Sequence, residues 1–119
     1  MSKLKNKTAL WLARLGRTRS HATFVCITGS SAKSSTTAML SHILTGLAPV
    51  HSLVLRNSFP GCVETLRSLE PAHRYVVCEL ASVGPGTLQP MIGLMHPSVG
   101  VVTLVALEHY SAFRSIEAV

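Results

Sequence analysis

Four short apolar runs organise this chain: TFVCIT (23–28), HSLVL (51–55), RYVVCEL (74–80) and VGVVTLV (99–105). Runs of this length, rich in β-branched residues, suit strands buried on both faces of a sheet. Helical patterns separate them. Met39, Leu40, Ile43, Leu44 and Leu47 recur at helical spacing, and Gly46 and Pro49 punctuate the end. CVETLRSL predicts a short helix closed by Pro71. A further helix is expected from about Thr87 to Met95, with Pro90 tolerable only in its first turn. Strand followed by helix, four times over, argues for a parallel sheet with crossover helices: an α/β layer fold. ALEHYSAF leaves the last strand, and SIEAV begins a helical pattern at which the chain stops, so the fold is expected to be truncated.

The N-terminal stretch is different. Leu4, Trp11, Leu12 and Leu15 among basic residues predict an amphipathic helix over 4–16, and RTRSHA reads as a linker. Six of the 11 basic residues (Lys3, Lys5, Lys7, Arg14, Arg17 and Arg19) lie there, and the other five balance the five glutamates. The net charge of +6 therefore belongs to residues 1–20. Such an arm can meet nucleic acid or anionic lipid, or it is a solvated first helix; with one aromatic residue among the charges, the second reading stands, and no nucleic-acid partner is expected. Residues 21–119 form the domain proper.

There is no aspartate, so acid or metal chemistry must come from Glu64, Glu70, Glu79, Glu108 or Glu117. Cys26, Cys62 and Cys78 make no CxxC pair, and an odd count without a secretion signal suggests a reducing cytoplasm. No segment approaches the roughly 18 apolar residues of a membrane span.

Between the first strand and its helix lies GSSAKSST (29–36). A phosphate-binding loop follows a buried strand and opens a helix, so that its amides face an anion at the positive end of the helix dipole. A lysine then reaches the outer phosphates, and a neighbouring hydroxyl serves magnesium. Gly29, Ser30, Ser31, Ala32, Lys33, Ser34 and Ser35 fit that pattern with two departures. The spacing from Gly29 to Lys33 is short, GxxxK rather than GxxxxGK, and Ala32 stands where glycine would permit a positive φ. The residues alone also admit a serine-rich helix start without a ligand.

The short loop resembles GTxGKT(S/T) of the Mur ligase family, the ATP-dependent amide ligases of peptidoglycan precursor synthesis. Two later stretches agree with it. CELASVGPGTLQPMIGLMHPSVGVVT is similar to the family's glutamate, PG turn, helix, proline and strand ending in Thr or Asn. VALEHYSAFRSIEAV is similar to its strand, histidine loop and S-x-E segment, with Glu108 as a departure. RNSFPGCVETL resembles a further segment through Asn57, Gly61, Thr65 and Leu66, with Val63 where proline is usual. The match covers roughly residues 22–119 and is closest to the branch that adds D-alanyl-D-alanine to a UDP-muramoyl tripeptide.

The resemblance implies a P-loop type sheet forming part of a central ATP-binding domain. It implies a ligase that activates a carboxylate as an acyl phosphate, with ATP and Mg2+ as cofactors. A UDP-muramoyl-peptide-like substrate and an amino acid or dipeptide would be its partners, in a cytoplasmic monomer. Under it, the amides of Ser30 to Lys33 cradle the β-phosphate, and Lys33 neutralises charge between the β- and γ-phosphates. Ser34 and Glu79 hold one magnesium, His109 helps place a second, and Asn57 and Thr65 lie near substrate. A lysine beyond the last residue, an adenine pocket and a C-terminal domain would be lacking, so a fragment with at most ATP binding is expected. Two other classes stay open: a different P-loop ATPase such as a kinase, disfavoured by the lack of aspartate, and a non-catalytic interaction module.

Overall fold

In the computed structural model, residues 3–53, 58–81 and 86–104 are described. The elements run α1 (Lys3–Arg19), β1 (Thr23–Thr28), α2 (Lys33–Thr45), β2 (Val50–Leu53), α3 (Phe59–Arg67), β3 (Tyr75–Glu79), α4 (Gln89–Met95) and β4 (Val99–Val102). The four strands form one sheet in the order β2-β3-β1-β4. Every pairing is parallel, with Cys26 opposite Cys78, Val25 opposite Val99 and Ser52 opposite Val77. The expected α/β architecture is therefore present. The central strands are buried on both faces because helices cover both.

The two faces carry separate cores. Val25, Ile27 and Val77 pack with Leu40 and Leu44 of α2 and with Val50 and Val101. The opposite face joins Phe24, Cys26, Val76 and Cys78 to Cys62 and Leu66 of α3, Met91 and Leu94 of α4, and Ala13 of α1. All three cysteines are free and buried, as small core hydrophobes should be.

Local chemistry explains the helix starts. Ser58 caps α3 by accepting the Gly61 N–H at 3.4 Å, and Pro60 occupies the first turn, so the helix begins three residues before CVETLRSL. Pro90 likewise falls in the first turn of α4.

The N-terminal helix departs from expectation in two ways. It runs on through the supposed linker to Arg19. And its buried side is not the large apolar set, since Trp11 is 62% exposed and Leu12 lies at the surface. Ala9 and Ala13 are buried instead, and a Cβ at Gly16 would stand 2.8 Å from the Leu66 carbonyl oxygen. Small residues let α1 and α3 approach closely, and that close fit outweighs burying one indole. Arg17 holds the last turn in place. Its Nε donates to the Met95 carbonyl at 2.6 Å and its terminal nitrogen to the His96 carbonyl at 2.7 Å. The guanidinium also lies 4.0 Å from the centre of the Phe24 ring. Arg17 thus satisfies carbonyls at the C-terminal end of α4 and stacks on an aromatic face.

Candidate functional site

The strand order puts β1 between β3 and β4, so the loop leaving β1 emerges with the ends of both neighbours beside it. In parallel α/β sheets that carboxyl edge is where ligands bind. The loop is Gly29–Ala32. Gly29 has φ 139, which L side chains rarely adopt. An added Cβ there would collide with Thr103 Oγ1 and lie 3.0 Å from the Leu104 nitrogen. Only glycine lets the chain pass this close to the end of β4.

Ala32 adopts the left-handed conformation, φ 63 and ψ 14, and is the N-cap of α2. This is the position where the sequence reads alanine in place of an expected glycine, and the backbone there does require a positive φ. The Ala32 carbonyl accepts the Thr36 N–H at 3.0 Å, the first helical bond. Its side chain offers no cap, and no acidic residue lies in the first turn of α2. The positive end of the helix dipole therefore depends on groups from outside the helix.

Lys33 is the first residue of α2, and its Nζ donates to the Gly29 carbonyl at 2.8 Å. The ammonium is folded back across the loop. Ser34 Oγ donates to Glu79 Oε2 at 2.8 Å, joining the first turn of α2 to the last residue of β3. Glu79 is only 2% exposed. A serine hydroxyl and a buried carboxylate therefore meet beside a lysine and the start of a helix.

The β4 side closes the loop. Thr103 N–H continues the ladder to the Thr28 carbonyl at 3.0 Å, and Thr103 Oγ1 donates to the Ser31 carbonyl at 2.6 Å. The Ser30 N–H donates to the Leu104 carbonyl at 2.6 Å. That bond corrects one expectation: in this structure the Ser30 amide is directed at β4's exit rather than into an anion cradle.

Of the stretch Gly29, Ser30, Ser31, Ala32, Lys33, Ser34 and Ser35, the structure joins Ser34 to Glu79. It places Thr65 differently. Thr65 is buried on α3, against the sheet face opposite α2, and its hydroxyl donates to the Gly61 carbonyl at 2.9 Å. In this structure the Thr65 hydroxyl is turned to its own helix. Asn57 and His109 lie outside the described residues, as do Ser115 and Glu117. The sequence reading matched Thr103 to the family's strand ending in Thr or Asn but gave it no role.

Among the described residues no group of three or more His, Cys, Asp or Glu converges as a metal site, and no helix is long and apolar enough to cross a membrane.

Comparison with known proteins gives one consistent answer. The family model described as Mur ligase middle domain matches residues 27–119. The UDP-N-acetylmuramoyl-tripeptide–D-alanyl-D-alanine ligase of Buchnera aphidicola is 29% identical over 111 residues, 92% of this chain and 23% of the relative. A Synechocystis ligase of the same name is 28% identical over 90 residues, covering 75% of this chain and 20% of its own. Among solved structures, MurF from Acinetobacter baumannii superposes with a TM-score of 0.87 at 25% identity, covering 94% of this chain and 25% of the other. MurF from Thermotoga maritima, solved in complex with ADP, gives 0.82 at 25% identity, covering 94% of this chain and 26% of the other. The chain spans about a quarter of the length of these relatives.

Proposed function

Because the chain belongs to the Mur ligase family, we propose that it is the phosphate-binding part of a central domain of an ATP-dependent ligase making an amide bond in peptidoglycan precursor synthesis. The reading places it in the cytoplasm. The observation that carries it is the Ser34–Glu79 hydrogen bond at the open end of the Gly29–Ala32 loop. Two hard oxygen donors beside a lysine and a helix N-terminus suit a magnesium–nucleotide complex, in which phosphate and water supply the remaining ligands.

Within this reading each residue has a task. Bound ATP supplies the phosphoryl group that activates the carboxylate of a UDP-muramoyl-peptide-like acceptor, for attack by the amine of an amino acid or dipeptide. The first-turn amides of α2 and the loop amides after Ser30 would orient the β-phosphate. Lys33 exchanges its bond to the Gly29 carbonyl for one to phosphate oxygen, offsetting charge that develops on transfer. Ser34 and Glu79 would hold Mg2+, which would neutralise phosphate charge, and their mutual hydrogen bond presets both side chains. His109 is assigned to a second metal position and Asn57 to the substrate side, by family resemblance alone.

The test is calorimetry of the chain with Mg-ATP, wild type against Lys33→Ala and Glu79→Gln. Binding in the wild type that weakens at least tenfold in both variants is expected; equal heats in all three would refute a working phosphate loop. A second reading, an interaction module without catalysis, is favoured by Ala32 at φ 63 and by the Ser30 amide already bonded to Leu104. It predicts no heat in any of the three.

A further inference from the structure

We infer that Thr103 is a positioning residue of the phosphate loop, aiming the Ala32 amide by anchoring the peptide plane that precedes it. The inference rests on the phosphate-loop reading for its purpose, but the geometry stands by itself.

Thr28 and Val102 are partners across β1 and β4, so Thr103 is the next residue along, and its N–H bonds the Thr28 carbonyl at 3.0 Å. Side chains alternate along a strand. Val101 packs on the α2 face of the sheet, so Thr103, two residues on, turns toward the same face, where the loop enters α2. There its hydroxyl donates to the Ser31 carbonyl at 2.6 Å, while Thr28 O lies farther away at 3.3 Å. One hydroxyl hydrogen serves the shorter contact.

A trans peptide is planar, and its C=O and N–H point in opposite directions. Holding the Ser31 oxygen on β4 therefore directs the Ala32 N–H away from β4, and it removes a carbonyl oxygen from the space an anion would enter. Two further features fit this role. Gly29 has no Cβ where one would collide with Thr103 Oγ1, so loop and threonine interlock. And Ala32, held at φ 63, does not take its conformation by intrinsic preference; an outside anchor on the preceding plane is what such a residue needs.

The experiment compares Thr103→Val, which keeps shape and β-branching but removes the donor, with Thr103→Ser, which keeps the donor. Amide hydrogen exchange on the ligand-free chain should show Ser30, bonded to the Leu104 carbonyl, and Thr36, bonded to the Ala32 carbonyl, exchanging roughly three- to tenfold faster in Thr103→Val, the scale of one hydrogen bond. Amides of β1 and β3 should stay unchanged, and Thr103→Ser should return the loop to wild-type rates. Mg-ADP affinity should follow the same order. Loop exchange in Thr103→Val equal to wild type, or no rescue by serine, would overturn the inference. Should Thr103→Val not fold, Thr103→Ala against Thr103→Ser makes the same comparison. Absence of Mg-ADP binding in the wild type would count against the nucleotide reading only, since the exchange arm decides Thr103 without ligand.

Discussion

Replacing Ala32 by glycine should stabilise this protein, against the usual direction of glycine substitutions at helix ends. Ala32 sits at φ 63 and ψ 14. A left-handed conformation costs an L-residue roughly 1–2 kcal/mol, and glycine adopts it freely. Glycine also gives the unfolded chain more freedom, which takes back about 0.4–1 kcal/mol. The methyl group is exposed, so its removal leaves no cavity. Glycine is in addition the better N-cap residue of the two. The net expectation is a gain of about 0.5–1 kcal/mol. With an unfolding entropy of about 2.1 cal/mol/K per residue, 119 residues correspond to roughly 0.25 kcal/mol/K. The melting temperature should then rise by about 2–4 °C, measured by circular dichroism or calorimetry without nucleotide. Ala32→Val should lower it, because a β-branched side chain fits this region worse. An unchanged or lower melting temperature for Ala32→Gly would refute the reasoning, since the strain it relieves would not exist.

Three further outcomes follow from the packing. Arg17→Leu removes two hydrogen bonds to carbonyls at the end of α4 and the stack on Phe24; urea denaturation should show a loss of about 2–3 kcal/mol. Arg17→Lys should recover less than half of it, lacking the fork. His51 has its pKa lowered, mainly by burial and then by the stacked His73 ring 4.8 Å away, with Glu70 opposing weakly. The unfolded chain therefore binds that proton more readily, so stability is full above about pH 6.5 and declines as pH falls through the lowered folded value; denaturation curves from pH 7.5 to 5 should show the decline, reduced in His51→Gln. The three thiols should resist alkylation at mildly alkaline pH until the chain unfolds. Burial pushes Cys62 up to about 12, and Cys78 is raised by its contact with Cys26 and by burial.

Much of the layer fold was legible because its signals are local. The β-branched runs TFVCIT and RYVVCEL became β1 and β3, buried on both faces. The loop was legible too, since its glycine after a strand and its lysine before a helix lie four residues apart, whereas Glu79 was singled out by the family resemblance. The readings that needed correction depended on distant partners. Arg17 looked like part of a solvated arm; its partners are 78 and 79 residues away. Trp11 marked the apolar side of an amphipathic helix, but α3 packs on the small residues of α1 instead.

By itself the sequence determined that strand and helix alternate, that Lys33 opens a helix behind a tight loop, and that Ala32 is the residue out of place. These follow from period, β-branching and glycine placement, which act over a few neighbours. Tertiary structure alone decided the order β2-β3-β1-β4, and with it which side chains flank the loop. Parallel pairing is made between strands joined only through crossovers, so no local pattern specifies who sits beside whom. That order brought Glu79 to Ser34 and Thr103 to Ser31, across 45 and 72 residues of chain, and so gave the loop the neighbours that make it a candidate site.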